Sequence, residues 1–221
     1  MTPERPPSGA LLAQPSSVAS LPPPYRRAVR PPLLSSSSDL AFELYRQNTL
    51  MVLLASCIRR TADRIPAELG LSRQAIRRAV EIHGDYVLGF HYAQEELVNA
   101  VLQPKTDPRI FDGLLECQAE HPRARLFQKR VSELSIPDDE PDRLVSPARA
   151  SELAHLFRAE ADRIERHLGR EEELLHVHLS EWLSKDEQLR LLRKMRSQAV
   201  PSIPAEILVL EWASEIGPSA D

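Results

Sequence analysis

The chain has 221 residues, enough for one domain with extensions, and its 19 Pro against 7 Gly and 5% aromatics make an uneven composition. Its 42% apolar content supports a hydrophobic core and excludes a wholly disordered chain. The net charge is −4; residues 1–38 hold four Arg against one Glu, so the remainder stands near −7, a sign that argues against general nucleic-acid binding.

Two cysteines, Cys57 and Cys117, do not make a disulfide framework, and a reducing compartment, the cytoplasm, is the expected location. No apolar run reaches the roughly 18 residues that a membrane span needs. "TLMVLLASCI" is too short and is followed by Arg. The N-terminus lacks a basic region leading into a true apolar stretch, so no secretory signal is expected.

Nine of the 19 prolines fall in residues 1–38, where "RPPSGA", "LPPPYRR", "RPPLL" and "SSSS" read as a disordered arm. Such a Pro-rich segment can also dock in an aromatic groove of a protein partner. Helical periodicity then takes over. A Ser/Asp cap signal opens helix A over about 39–65, with apolar residues at three- and four-residue steps. Gly70 and Ser72 mark a stop and a new cap, giving helix B over about 72–102. "QPKTDP" breaks the chain, and helix C follows over about 108–134. The acidic, Pro-rich stretch "SIPDDEPDRLVSP" is a loop. Ser146-Pro147 opens helix D, which reaches about 182. A capping box at Ser184–Glu187 starts a fifth helix to about 198. Its "RLLRKMRSQ" is basic and amphipathic and reads first as a solvated face. The apolar segment near the C-terminus should pack on the rest. The expected architecture is an all-α, up-down-up-down four-helix bundle over residues 39–182 with an extra C-terminal helix in 183–221.

Two of the seven histidines are followed four residues later by an acid: His91 by Glu95, and His167 by Glu171. Positions i and i+4 of a helix lie on one face, so each pair presents an imidazole and a carboxylate to the same point. In an up-down-up-down bundle, helices B and D run the same way across the axis, and the two pairs can face each other. His121 lies on the intervening helix C. Five inward groups from three helices would make a metal centre in the core, with Fe, Mn and Zn all accepting such donors. Burying two carboxylates without a cation would be costly.

In these motifs the chain resembles the hemerythrin-like (HHE cation-binding) family. That family pairs "HxxxEE" on helix B with "EH" on helix C and "HxxxEE" on helix D. Here the stretches are "HYAQEELV" from His91, "AEHPRAR" around His121 and "HLGREEELL" from His167. The resemblance implies His91, Glu95, His121, His167 and Glu171 as iron ligands, with Glu95 and Glu171 bridging a di-iron site. It implies a non-haem iron protein that binds or senses O2, NO or peroxide, or handles iron under redox stress. One departure is plain: helix A carries no His. Gln47 or Asn48 falls where the family's ligand stands, so a mononuclear site, a lopsided dinuclear site, or one completed by water or Glu43 are all open. Cys117, one turn before His121, is a candidate soft ligand or redox thiol, although a small buried hydrophobe is its commoner role. Pro122 directly follows His121 and should kink helix C.

The other histidines carry less. His83 lies about 80° around an ideal helix from His91. His178 shares the stripe of His167 but points to the opposite end of the bundle from His83. His155 and His176 read as surface or satisfied residues. The rival functions are a metal-free helical interaction module and a peroxide-consuming di-iron enzyme, for which Tyr86 and Tyr92 are the available proton donors.

Overall fold

The computed structural model describes residues 40–67, 73–134, 146–176, 178–198 and 203–216. Among these residues the structure is helical, with no strand. The arm expected over residues 1–38, the cap before helix A, the Gly70/Ser72 signals and the acidic loop lie outside the described residues. No helix among the described residues is long and apolar enough to cross a membrane.

Helix α1 spans Leu40–Ala67 and matches helix A. Helix B is not uniform. It comprises α2 (Arg73–Ile82), a π-helical stretch His83–His91, and α3 (Tyr92–Leu102). A π turn bonds each residue five positions along and rotates less per residue than an α turn. The 80° offset expected between His83 and His91 therefore does not apply.

Helix C is two helices. Asp107 caps α4 (Pro108–Gln118), its side chain accepting the Arg109 amide at 2.8 Å. A turn at Ala119–Glu120 follows, and α5 runs His121–Leu134. The Arg123 amide bonds the Glu120 carbonyl at 3.0 Å, so Pro122 lies in the first turn of a new helix. A proline there removes no needed donor. The expected mid-helix kink is thus a stop and restart, with His121 at the new helix's first position.

Helix D is shorter than its expected reach to 182. α6 covers Pro147–Glu171, opened by Ser146 and Pro147 as the sequence signals. A second π stretch, Glu172–His176, and the short α7 (Leu179–Trp182) complete the span. The capping box at the start of α8 (Lys185–Gln198) is reciprocal: Ser184 N donates to Glu187 Oε2 at 3.0 Å, and Glu187 N to Ser184 Oγ at 3.4 Å. Helix α9 (Ile203–Ile216) packs on α1 and adds Val209 and Trp212 to the core.

The most extensive helix contact is α1 against α6. Apolar burial forms two clusters, and the gap between them positions the site. On α1, Leu40 and Leu44 belong to one cluster and Leu50 onward to the other. On α3, Tyr92 and Val98 divide in the same way, as do Leu168 and Leu175 on either side of the α6 terminus. Leu114 on α4 and Ala124 on α5 complete the pattern. The residues left between the clusters are polar: Gln47, Glu95, Glu120, His121 and Glu171, all buried.

Candidate metal centre

His91, the last residue of the first π stretch, enters this polar layer one turn before Glu95. His121 enters from the first position of α5. His167 and Glu171 enter from the last turn of α6, just before the second π stretch. All five side chains predicted from the sequence come together, and all are buried; Glu95 and Glu171 are only 2% and 1% exposed.

Glu95 Oε2 lies 3.0 Å from His121 Nε2 and 3.1 Å from His167 Nε2. Glu171 Oε2 lies 3.8 Å from His91 Nε2. Two overlapping groups result, His91–His167–Glu171 and Glu95–His121–His167, each with donor atoms within 4.8 Å of one another. Both use His167.

The donors are not fully satisfied. Glu95 Oε1 and Glu171 Oε1 are buried without a hydrogen-bond partner. An unpaired buried carboxylate oxygen is costly, and a cation is the partner that would remove the cost. Imidazole nitrogen and carboxylate oxygen together suit first-row divalent metals.

The two carboxyls differ in charge. Burial opposes ionisation of Glu95, but the hydrogen bonds from the His121 and His167 rings hold its carboxyl well below the usual range. Burial pushes Glu171 well above the usual range, and the nearby Glu95 charge adds to that shift. The Asn48 hydrogen bond offsets only part of it.

The weaker candidates separate clearly. Asn48 Nδ2 donates to Glu171 Oε2 at 3.5 Å, so Asn48 is the α1 residue that reaches the carboxylate cluster. Gln47 instead donates to Glu43 at 3.2 Å, and Glu43 also accepts from Arg46 at 2.6 Å. Burial raises Glu43, but its bonds to Arg46 and Gln47 outweigh that and keep its carboxyl below the usual range. Cys117 joins neither donor group. Burial, then the charges of Glu95, Glu171 and Glu120, push its thiol up to about 12, so it stays protonated.

Sequence reasoning missed a second buried layer. The Tyr92 ring stacks on His121 at 3.7 Å with planes 7° apart. Arg163 Nη1 donates to the Tyr92 hydroxyl at 2.6 Å. Arg163 also donates twice to Glu160, at 2.6 and 2.9 Å, and His83 Nε2 lies 2.6 Å from Glu160 Oε1. Burial raises the Tyr92 phenol far above its ordinary value, so it stays neutral. Glu120 was also missed: its Oε2 lies 3.8 Å from His167 Nδ1, behind the face that meets Glu95. A signal was present. Glu160, Arg163, His167 and Glu171 recur at three- and four-residue steps, a polar stripe on the buried side of α6. His178 pairs locally with Glu181 at 3.0 Å, and His155 is exposed. The His176 side chain lies outside the described residues.

No protein-family model, curated protein or solved structure matches the chain.

Proposed function

We propose that this chain is a hemerythrin-like, non-haem iron-binding protein that binds or senses O2, NO or peroxide, or handles iron under redox stress. The observation that carries the reading is the pair of buried, unpartnered carboxylate oxygens on Glu95 and Glu171, set among three imidazoles. The proposed framework is a four-helix bundle, with α1, the His83–Leu102 segment, α4–α5 and α6 as its four rods. The donor chemistry admits several divalent metals; iron is chosen on the motif resemblance.

The stoichiometry that fits is one ion per chain. The two donor groups share His167, whose Nδ1 faces Glu120 rather than a second donor set. A second position would also lack the helix A imidazole, since Asn48 stands there as a hydrogen-bond donor to Glu171. Bound iron would supply an exchangeable position for a small diatomic ligand or peroxide. In the metal-free chain Glu95 accepts from the His121 and His167 Nε2 atoms, and to ligate an ion those nitrogens would give up that proton. Glu120 lies behind His167, and Tyr92 against the face of His121, each limiting how its ring can turn. The free, buried Cys57 and Cys117 suit a cytoplasmic setting.

The test is anaerobic loading with Fe(II), iron counted per chain, and an optical spectrum before and after air. One iron per chain is expected, lost in His91→Ala and His167→Ala. No retained iron together with unchanged thermal stability would overturn the metal reading. Two irons with oxo-bridge absorption would overturn the mononuclear one.

A further inference from the structure

A cleft of about 560 Å³ runs between α5 and α6, apart from the metal centre. Its size falls in the range of small-molecule pockets, roughly 300–1,000 Å³. The two helices run antiparallel: Arg170 reaches Glu120 at one end, and Arg130 reaches Glu152 at the other. Arg123 of α5 and Arg166 of α6 therefore share the end nearest His121 and His167. Both line the cleft and both are exposed. Among the described residues neither has an ion pair. The remaining cations are engaged: Arg163 with Glu160 on the floor, and Lys129 and Arg130 with Glu133.

The lining has five basic and two acidic side chains in a chain of net charge −4. Between its charged ends the lining also carries apolar side chains. Leu126 is 62% exposed, one turn from Arg123. Leu156 and Ala159 continue the same face of α6 toward Arg163 and Arg166. A guanidinium fork binds a phosphate or carboxylate through two parallel hydrogen bonds, and two unpaired forks at one end call for a dianion. An exposed leucine beside them calls for an apolar body.

We propose that the α5/α6 cleft binds a small organic phosphate monoester, its dianionic head between Arg123 and Arg166 and its apolar body over Leu126. This site stands on its own observations and does not depend on the metal reading.

The test is calorimetric titration of the full chain at low salt with phenyl phosphate, inorganic phosphate and benzoate. Phenyl phosphate should bind saturably and at least fivefold more tightly than either of the others. Arg123→Ala and Arg166→Ala should each weaken it at least fivefold, with circular dichroism unchanged because both side chains are exposed. Leu126→Ser should weaken phenyl phosphate and leave inorganic phosphate within twofold. No saturable phenyl phosphate binding, or equal binding by the Arg123→Ala/Arg166→Ala double variant, would overturn the proposal. Equal affinity for phenyl and inorganic phosphate would overturn the apolar subsite, and equal affinity for benzoate would overturn the dianion requirement.

Discussion

Replacing Glu171 with Gln keeps the side-chain volume and removes the charge, and it should move metal affinity and fold stability in opposite directions. Burial raises the Glu171 carboxyl well above its ordinary value, as does the Glu95 charge. In the metal-free protein the folded state therefore keeps a proton that the unfolded chain releases above about pH 4.3. A group that binds more protons folded than unfolded loses stability as pH rises. Gln has no such term. Metal-free Glu171→Gln should therefore be the more stable protein at neutral pH, its gain growing by about 1.4 kcal/mol for each pH unit between the unfolded and the raised folded carboxyl value. For a chain of this size each such step is roughly 3–6 °C in Tm. The gain should shrink as pH falls and close near the unfolded carboxyl value of about 4.3. Metal reverses the order. If the site takes iron, excess Fe(II) at about 100 times Kd should stabilise wild type by about 2.7 kcal/mol, or roughly 5–11 °C, and should do far less for the variant. Anaerobic calorimetry with and without Fe(II), across this pH range, measures both effects. A metal-free variant less stable than wild type, or an equal metal-induced rise in both proteins, would refute the reasoning.

Metal binding should release protons, because the raised Glu171 carboxyl must ionise to act as a ligand; affinity should rise with pH, and calorimetry in buffers of different ionisation enthalpy should show the release. Arg163→Met should cost about 3–5 kcal/mol in chemical denaturation, since it strands the buried Glu160 carboxylate, and Arg163→Met/Glu160→Gln should recover part of that loss. Lys105 and Ser184 hold the Glu187 carboxyl down to about 2, so Glu187→Gln should lower Tm at neutral pH. That difference is present above the ordinary carboxyl value and should close as pH falls toward about 2. Asn48→His replaces the hydrogen-bond donor on Glu171 with an imidazole and should raise iron per chain above one; an unchanged count would place the limit at the shared His167 instead.

The legible parts of this molecule are those that side-chain pattern encodes. Ser146-Pro147 and the Ser184–Glu187 box mark helix starts because capping is a local bond between near neighbours. His167 and Glu171 fall in one donor group because i and i+4 share a helix face, whereas His91 joins Glu171 and Glu95 joins His121 and His167, so the expected His91–Glu95 pairing is replaced by contacts across helices. The π stretches were not legible: the shift from four- to five-residue bonding is a backbone event with no side-chain signature of its own. It re-aims His83, which an ideal helix leaves unassigned. Pro122 was legible as a disturbance, but whether it kinks one helix or begins another depends on where the preceding helix stops. That stop, after Gln118, has no glycine or cap to announce it. Glu160 and Arg163 were visible as a stripe, but their partners, His83 and Tyr92, are more than 70 residues away.

The two buried polar layers act as controls for each other. Glu160 and Glu95 are both carboxylates sealed from solvent within one helical core. Both oxygens of Glu160 are satisfied: Oε1 by His83 and Arg163, Oε2 by Arg163. The chain thus supplies a cation where it needs only to neutralise a buried acid. A few turns away it sets Glu95 and Glu171 in one layer, pairs neither with a Lys or Arg among the described residues, and leaves one oxygen of each without a partner. Like charges at that proximity raise the cost of ionising Glu171. An arrangement that only stabilised the fold would repeat the Arg163 solution, or replace both acids with apolar side chains continuous with the flanking clusters. The layer does neither, and its clustered imidazoles and carboxylates are a donor set that could hold a metal ion.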